Sequence, residues 1–386
     1  MFLRNHWYVA AWSDELGKDP LAVKMLNEDV MLYRKQDGTP VALEDRCAHR
    51  RLPLSEGKLR GDTVECAYHG LVYDCSGTCI KIPGQGRWPK KLGVKSYPVV
   101  ERHQFIYVWM GDVEDADEAL IIDFPLLTNP EWGVTKIHLD IKANYLLIID
   151  NLLELSHVAY LHSSTIGNAP VAENADVAFH REGNAVRVMR EMVDVPAART
   201  YAEFGGEAAN FDRWQTSEFR PPAYFLINNG SEATGLRQPG DHRLWDRGEW
   251  GFQVYHGITP ATEKTTHQFW AICHPLAMVP KKGRKEFYRQ CHEVIWEDVG
   301  VYQAQQVSLD TDPEGPSADD VNAKVRINYD GAFFEARRVI KRMLKEEAAA
   351  AKAKKARKSK KRTPKKSPVG WISVRGEQRA LQQAAE

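Results

Sequence analysis

Residues 47–52 read Cys47-Ala-His49-Arg-Arg-Leu52, and residues 66–71 read Cys66-Ala-Tyr-His69-Gly70-Leu71. Each stretch supplies one thiol and one imidazole, and sixteen residues separate His49 from Cys66. That alternation decides the N-terminal fold. A [2Fe–2S] cluster with two thiolates on one iron and two neutral imidazoles on the other draws one Cys and one His from each of two loops. A zinc finger also uses two Cys and two His, but it pairs like with like. Buried thiols beside chance core imidazoles would have no reason to repeat the pairing or to set Gly70 after the second His. The segment reads as an entry port for electrons.

The chain around it has 386 residues, 43% of them hydrophobic, with 11 Trp, which is enough for two domains and a large core. No apolar run approaches a membrane span. The opening MFLRNHWYVAAWSDEL lacks the basic start and apolar stretch of a secretory signal, so a cytoplasmic protein is expected. Of six cysteines, Cys75, Cys79, Cys273 and Cys291 remain after the cluster pair and are expected to be free thiols. The formal charge of zero hides an asymmetry: residues 352–366 hold ten basic side chains and no acid, leaving 42 basic against 52 acidic groups elsewhere. Such a block repels itself, and a solvated tail is expected after a helix ending near Ala350. Without aromatic residues interleaved before Trp371, nucleic acid is not an expected partner.

From Val23 to Trp109, short β-type runs alternate with Gly, Pro and Asp turns, which indicates a small antiparallel β-domain. An acidic connection follows over 111–130. Strand-like runs then recur at 134–141, 177–181, 185–192, 214–218, 223–228, 249–259 and 266–274, with helical periodicity over 144–161, 285–306 and 331–345. The second domain is therefore expected to be α+β, a broad sheet packed by long helices.

Within the first helical segment, His157 and His162 are candidates for a second metal centre. Two His and one carboxylate on one face of an iron leave positions open for dioxygen. A spacing of five places them about 140° apart on a regular helix, so the backbone must widen, as in a π-turn, or end between them. Glu293, Glu297 and Asp298 all offer the third ligand, and spacing does not choose among them.

These motifs resemble the oxygenase components of the Rieske non-haem iron oxygenases. The group nearest in motif contains vanillate O-demethylase, dicamba O-demethylase and toluenesulfonate methyl-monooxygenase. The similarity runs through RNHWYVAAW, CAHRRLPLSEG, CAYHGLVYDCSGTC, IPGQ, KSYPVVER, VWMGD, IDNLLELSHVAYLH and WEDV, over about residues 1–345. It implies an all-β Rieske [2Fe–2S] domain at 1–115, a helix-grip (START-like) catalytic domain at 125–348 and a basic tail at 349–386. It implies cluster ligation by Cys47, His49, Cys66 and His69, and Fe(II) ligation by His157, His162 and Asp298, with Asn151 beside the iron. Glu154 stands where such proteins usually have Asp, the residue that links one subunit's iron site to a neighbour's cluster histidine, here His69. The resemblance also implies a head-to-tail homotrimer. Respiratory Rieske proteins carry an extra disulfide cysteine in each loop; the matching positions here are Leu52 and Tyr68, which favours a low-potential cluster in a reducing compartment.

No G-x-G-x-x-G follows a strand, so NAD(P)H is expected to act through a partner, a ferredoxin and/or flavin reductase. The expected reaction is hydroxylation or O-demethylation of a methoxylated aromatic acid with O2. The resemblance to the demethylase group, taken strand by strand, implies Asn228 and His256 as candidates for polar substrate contacts in an otherwise apolar pocket, and Arg289 is a further one, since a guanidinium matches a carboxylate or sulfonate bidentately. A ring cis-dihydroxylating dioxygenase is the alternative with the same metals; an electron carrier would need the first domain alone.

Overall fold

The structure, a computed structural model, describes residues 1–205, 209–236, 250–312, 327 and 329–361. Residues Met1–Leu344 form one compact unit and Lys345–Glu386 a second. The N-terminal part is built from short strands: β1 (Trp7–Trp12), β2 (Leu21–Met25), β3 (Glu28–Arg34), β4 (Pro40–Glu44), β5 (Lys58–Arg60), β6 (Thr63–Glu65), β7 (Val72–Tyr73), β8 (Cys79–Lys81), β9 (Ser96–Tyr97), β10 (Val99–Arg102) and β11 (Phe105–Trp109). They make three antiparallel sheets, ordered β1-β11-β10, β2-β3-β4-β9 and β5-β6-β7-β8. The first Cys–His loop leaves β4, and the second joins β6 to β7.

The connection over 111–130 is not a free linker. Ile121, Phe124 and Leu127 bury among Trp12, Phe105, Tyr224, Tyr255 and Phe269, joining the N-terminal strands to the sheet that follows. That sheet has seven antiparallel strands in the order β12-β18-β17-β16-β15-β14-β13: β12 (Trp132–Ile141), β13 (Asp176–Glu182), β14 (Ala185–Pro196), β15 (Asn210–Arg220), β16 (Tyr224–Ala233), β17 (Trp250–Thr262) and β18 (Thr265–Pro275). Most are longer than their apolar runs because polar residues such as Gln215, Thr216 and Asn229 are buried along them. β17 and the start of β16 lie against β1: Thr259 Oγ1 of β17 donates to the Val9 carbonyl at 2.6 Å and Tyr224 Oη of β16 to that of Trp7 at 2.9 Å. At Gly257 a Cβ would stand 2.8 Å from Val9 Cγ2, so the close approach depends on the glycine.

The helices are α1 (Tyr145–Leu153), α2 (Val158–Leu161), α3 (Ala169–Glu173), α4 (Arg199–Phe204), α5 (Arg284–Thr311) and α6 (Gly331–Lys361). Ile148 and Leu152 of α1 and Ile295, Val299 and Tyr302 of α5 share one core with Ile227 and Val254 of the sheet. The architecture is α+β, as expected. Three helices differ from the sequence reading, α5 by running on to Thr311 rather than ending at 306. The segment 144–161 is two helices, broken at Glu154. The last helix, expected to end near Ala350, runs to Lys361, because Ala, Lys and Arg are among the best helix formers; residues 362–386, the rest of the expected tail, lie outside the described residues. Among the described residues no helix is long and apolar enough to cross a membrane.

Candidate functional site

The two N-terminal loops fold alike although their His spacings differ. Arg51 N–H donates to the Cys47 carbonyl and Gly70 N–H to that of Cys66, each at 3.0 Å; Cys47 and Cys66 N–H then donate to Leu52 and Leu71, each at 2.8 Å. Arg51 and Gly70 both take positive φ, 63° and 69°, which closes each turn. The result buries both thiols and leaves both imidazoles exposed, their rings 4.5 Å apart and their Nδ1 atoms 3.1 Å apart. Tyr73 Oη accepts from Ala48 N–H at 3.0 Å, which frees its own proton for Cys47 Sγ at 3.2 Å. Both cysteines are free, and burial, followed by the neighbouring Cys47, pushes the Cys66 thiol up. Two buried sulfurs and two facing Nδ1 atoms fit a two-iron cluster, whose charge would stabilise the thiolates that burial alone disfavours.

The second centre depends on a broken helix. Asn144 caps α1 by accepting from Leu146 N–H at 2.9 Å, and the apolar face of α1 packs inward. At Glu154 the backbone turns extended (φ −119°, ψ 95°), and its carboxylate accepts from Ser156 N–H at 2.8 Å, starting the 3-10 turn Leu155–His157. One residue thus ends a helix and caps the next turn. α2 stops at His162 (φ −100°, ψ 26°). A break before His157 and a helix end at His162, rather than a π-turn, bring the two rings to 5.4 Å.

Asp298, on the buried face of α5, completes the group: its Oδ1 is 3.7 Å from His157 Nε2 and 3.3 Å from His162 Nε2. Glu297 is on the other side of the ring, accepting from His162 Nδ1 at 2.7 Å, while Glu293 pairs with the exposed Arg289 at 3.0 Å. His157 Nδ1 donates to the Glu154 carbonyl at 2.5 Å. Each His therefore spends its outer N–H on an acceptor, and both Nε2 lone pairs converge on a carboxylate, an arrangement that suits a cation. Burial pushes His157 below its ordinary range, which keeps it neutral. Burial acts the same way on His162, but Asp298 and Glu297 outweigh it and raise its pKa. Asn151 Nδ2 donates to Asp298 Oδ1 at 3.3 Å and is held by Tyr302 Oη at 3.1 Å.

Above this group lies a cleft walled by Leu152, Ile227, Phe252, Val254 and Trp270, with Gln215, Asn229 and His256 among its polar groups. Gln268 Nε2 donates to His256 Nδ1 at 2.8 Å, so His256 Nε2 carries the ring proton, and burial pushes the imidazole down to about 3. It is a neutral donor. Asn228 does not reach the cleft: side chains alternate along β16, so Ile227 and Asn229 line it and Asn228 faces the other side of the sheet. Arg289 is also excluded, clasped by Glu286 and Glu293 on the outer face of α5. On the cleft side of the sheet, behind Gln215, sequence reasoning missed two buried arginines. Arg213 stacks 4.0 Å from the Tyr201 ring with its guanidinium nitrogens otherwise unpartnered, and Arg190 donates through Nη2 to Val171 but leaves Nε and Nη1 without partners.

Residues 6–98 match the family model of the Rieske [2Fe-2S] domain and residues 141–346 that of the vanillate O-demethylase oxygenase C-terminal domain. The chain is 35% identical to the toluene-4-sulfonate monooxygenase system iron-sulfur subunit of Comamonas testosteroni, over 90% of this chain and 98% of the relative. It is 35% identical to the vanillate O-demethylase oxygenase subunit of a Pseudomonas species, over 92% and 98%. A crystal structure of dicamba monooxygenase with non-haem iron and dicamba superposes with a TM-score of 0.73 at 27% identity, covering 90% of this chain and 99% of that one. Both domain models match, in order, a chain whose geometry gathers Cys2His2 and His2Asp donor sets, and the chain belongs to the Rieske non-haem iron oxygenases, in the group of the vanillate O-demethylase oxygenases.

Proposed function

We propose that this oxygenase hydroxylates or O-demethylates a methoxylated aromatic acid, with O2 as co-substrate and electrons supplied from NAD(P)H by a separate ferredoxin and/or flavin reductase. The observation that carries this reading is the convergence of His157 Nε2, His162 Nε2 and Asp298 Oδ1 at the floor of an apolar cleft. In this reading Cys47, His49, Cys66 and His69 hold the cluster, and the three cleft residues hold Fe(II). When bound, these groups supply single-electron transfer and dioxygen activation. The chain's own residues do the rest. Leu152, Val254 and Trp270 exclude water from the ring, and the His256 Nε2–H and Asn229 orient its polar substituent. The buried charge of Arg213 and Arg190 favours an anionic end directed toward Gln215. Asn151 steadies Asp298. O-demethylation then balances as ether, O2, two electrons and two protons giving phenol, formaldehyde and water, because a hydroxylated methyl ether is a hemiacetal that falls apart.

A head-to-tail homotrimer is supported by exposed aromatics beside both centres: Tyr68 (62% exposed) next to His69, and Tyr160 (72%) and Trp296 (54%) beside His157, His162 and Glu297. Glu154, with a half-buried carboxylate 4.0 Å from His157 Nδ1, is the residue we assign to meet a neighbour's His69. Six free cysteines, Cys75 exposed, fit the reducing cytoplasm. The test is iron and sulfide analysis with substrate screening. An iron-to-sulfide ratio of about three to two and formaldehyde release from a methoxybenzoate are expected. Iron confined to the cluster, or a dihydrodiol product, would overturn the reading.

A further inference from the structure

On the opposite side of the sheet from the cleft, β12 and β18 carry a second group of metal-type donors. Asp140 and His267 are directly paired across the two strands, and His138 lies two residues before Asp140 on the same face, stacked on Phe269 at 4.2 Å. His267 Nδ1 is 2.8 Å from Asp140 Oδ1 and 3.2 Å from His138 Nε2, and His138 Nε2 is 3.8 Å from Asp140 Oδ1.

The outer hydrogen bonds determine what these atoms are. His138 Nδ1 is 3.0 Å from Glu15 Oε1, and His267 Nε2 is 3.0 Å from the Lys24 carbonyl. A carboxylate and a carbonyl can only accept, so both outer nitrogens carry the ring protons. In the neutral rings, the inner nitrogens are then lone pairs. Two lone pairs and a carboxylate oxygen face one another with no hydrogen between them, which is unfavourable unless a cation fills the space. The same logic governs the His157, His162 and Asp298 group, where each His likewise gives its outer N–H to an acceptor.

We propose that His138 Nε2, His267 Nδ1 and Asp140 Oδ1 form a third metal site, separate from both iron centres, that takes a borderline divalent cation such as Zn²⁺. Ligands about 2.1 Å from a tetrahedral ion lie about 3.4 Å apart, in the middle of the three separations here. Two imidazoles and one carboxylate select against Mg²⁺ and Ca²⁺, which take six or more oxygen ligands. Asp140 is 81% exposed at its side chain, so water can supply the fourth ligand and the ion can enter from solvent. Glu15, on the loop after β1, and Lys24, in β2, belong to the N-terminal part, so the ion fastens that part to the edge of the catalytic sheet through its ligands' outer hydrogen bonds.

The test uses the full chain with cluster and mononuclear iron loaded, dialysed against micromolar free Zn²⁺, with zinc and iron measured in the same sample. The expected result is about one zinc per chain with iron retained, and a Tm that rises with the logarithm of free zinc. Asp140→Asn, at an exposed position, and His267→Asn should each weaken zinc uptake by about tenfold or more. Should His267→Asn not fold, Asp140→Asn decides alone. Zinc uptake only in exchange for iron, no uptake at all, or undiminished uptake by the variants would each overturn the proposal; in the second case a proton held by His267 and Asp140 fills the gap instead.

Discussion

Asn228 and Asn229 show how finely a strand separates residue roles. One step along β16 turns a side chain from the cleft to the far face, and the sequence reading chose Asn228 where Asn229 lines the wall. The substitution Asn229→Ala should raise KM for an acidic aromatic substrate by about tenfold, the loss of one hydrogen bond to a charged group. Asn228→Ala should leave KM within about twofold; equal effects from the two would place the substrate elsewhere. The arginines follow the same rule. Arg289 is a candidate in sequence because a guanidinium matches a carboxylate or sulfonate bidentately, yet Glu286 and Glu293 hold it outside. Arg213 and Arg190 were hidden because they are charged residues within a sheet, and only the cross-strand register places Arg190 beside Gln215, on the face that lines the cleft.

At the scale of elements, the strands and helices were legible because their periodicities survive without tertiary knowledge: all seven expected strand runs of the second domain have counterparts in β12–β18. The site was legible in part. The pattern of Cys and His pairs identified the first centre, and the spacing of five required a departure from regular helix. Its form was not readable, because the break at Glu154 depends on a side chain capping the turn that follows it. Nor could spacing choose among three acids on α5, since which of them faces inward depends on how that helix packs. The loop that returns from His162 depends on Gly167, whose N–H donates to the His162 carbonyl at 2.9 Å and where a Cβ would sit 1.8 Å from the Val158 carbonyl oxygen. Gly167→Ala must push that loop away, so mononuclear iron content should fall by more than half while the visible absorption of the cluster persists, with about 1–3 kcal/mol lost in stability. Full iron occupancy in this variant would mean that His162 is positioned by α2 alone.

At the scale of the whole molecule, the position of the exposed His49 and His69 matters more than any single contact. In the proposed cluster ligation these imidazoles face solvent, a position suited to hand electrons across a boundary, and exposed aromatics flank both centres. If the productive pair is a cluster in one chain and an iron site in its neighbour, two inactive variants should complement each other. On the proposed ligation, Cys66→Ser removes the cluster and Asp298→Ala the iron; each alone should retain under about 1% of turnover, as expected when an essential group is lost. Mixed at equal expression in a closed ring of three, a given junction joins an intact cluster to an intact iron site with a chance of one half for each side, so turnover should recover to about a quarter of the wild-type value. No chain in the mixture carries both centres, so transfer within a chain predicts no recovery. Mixed oligomers confirmed by tag pull-down, yet inactive, would therefore refute transfer between subunits and with it the role assigned to Glu154.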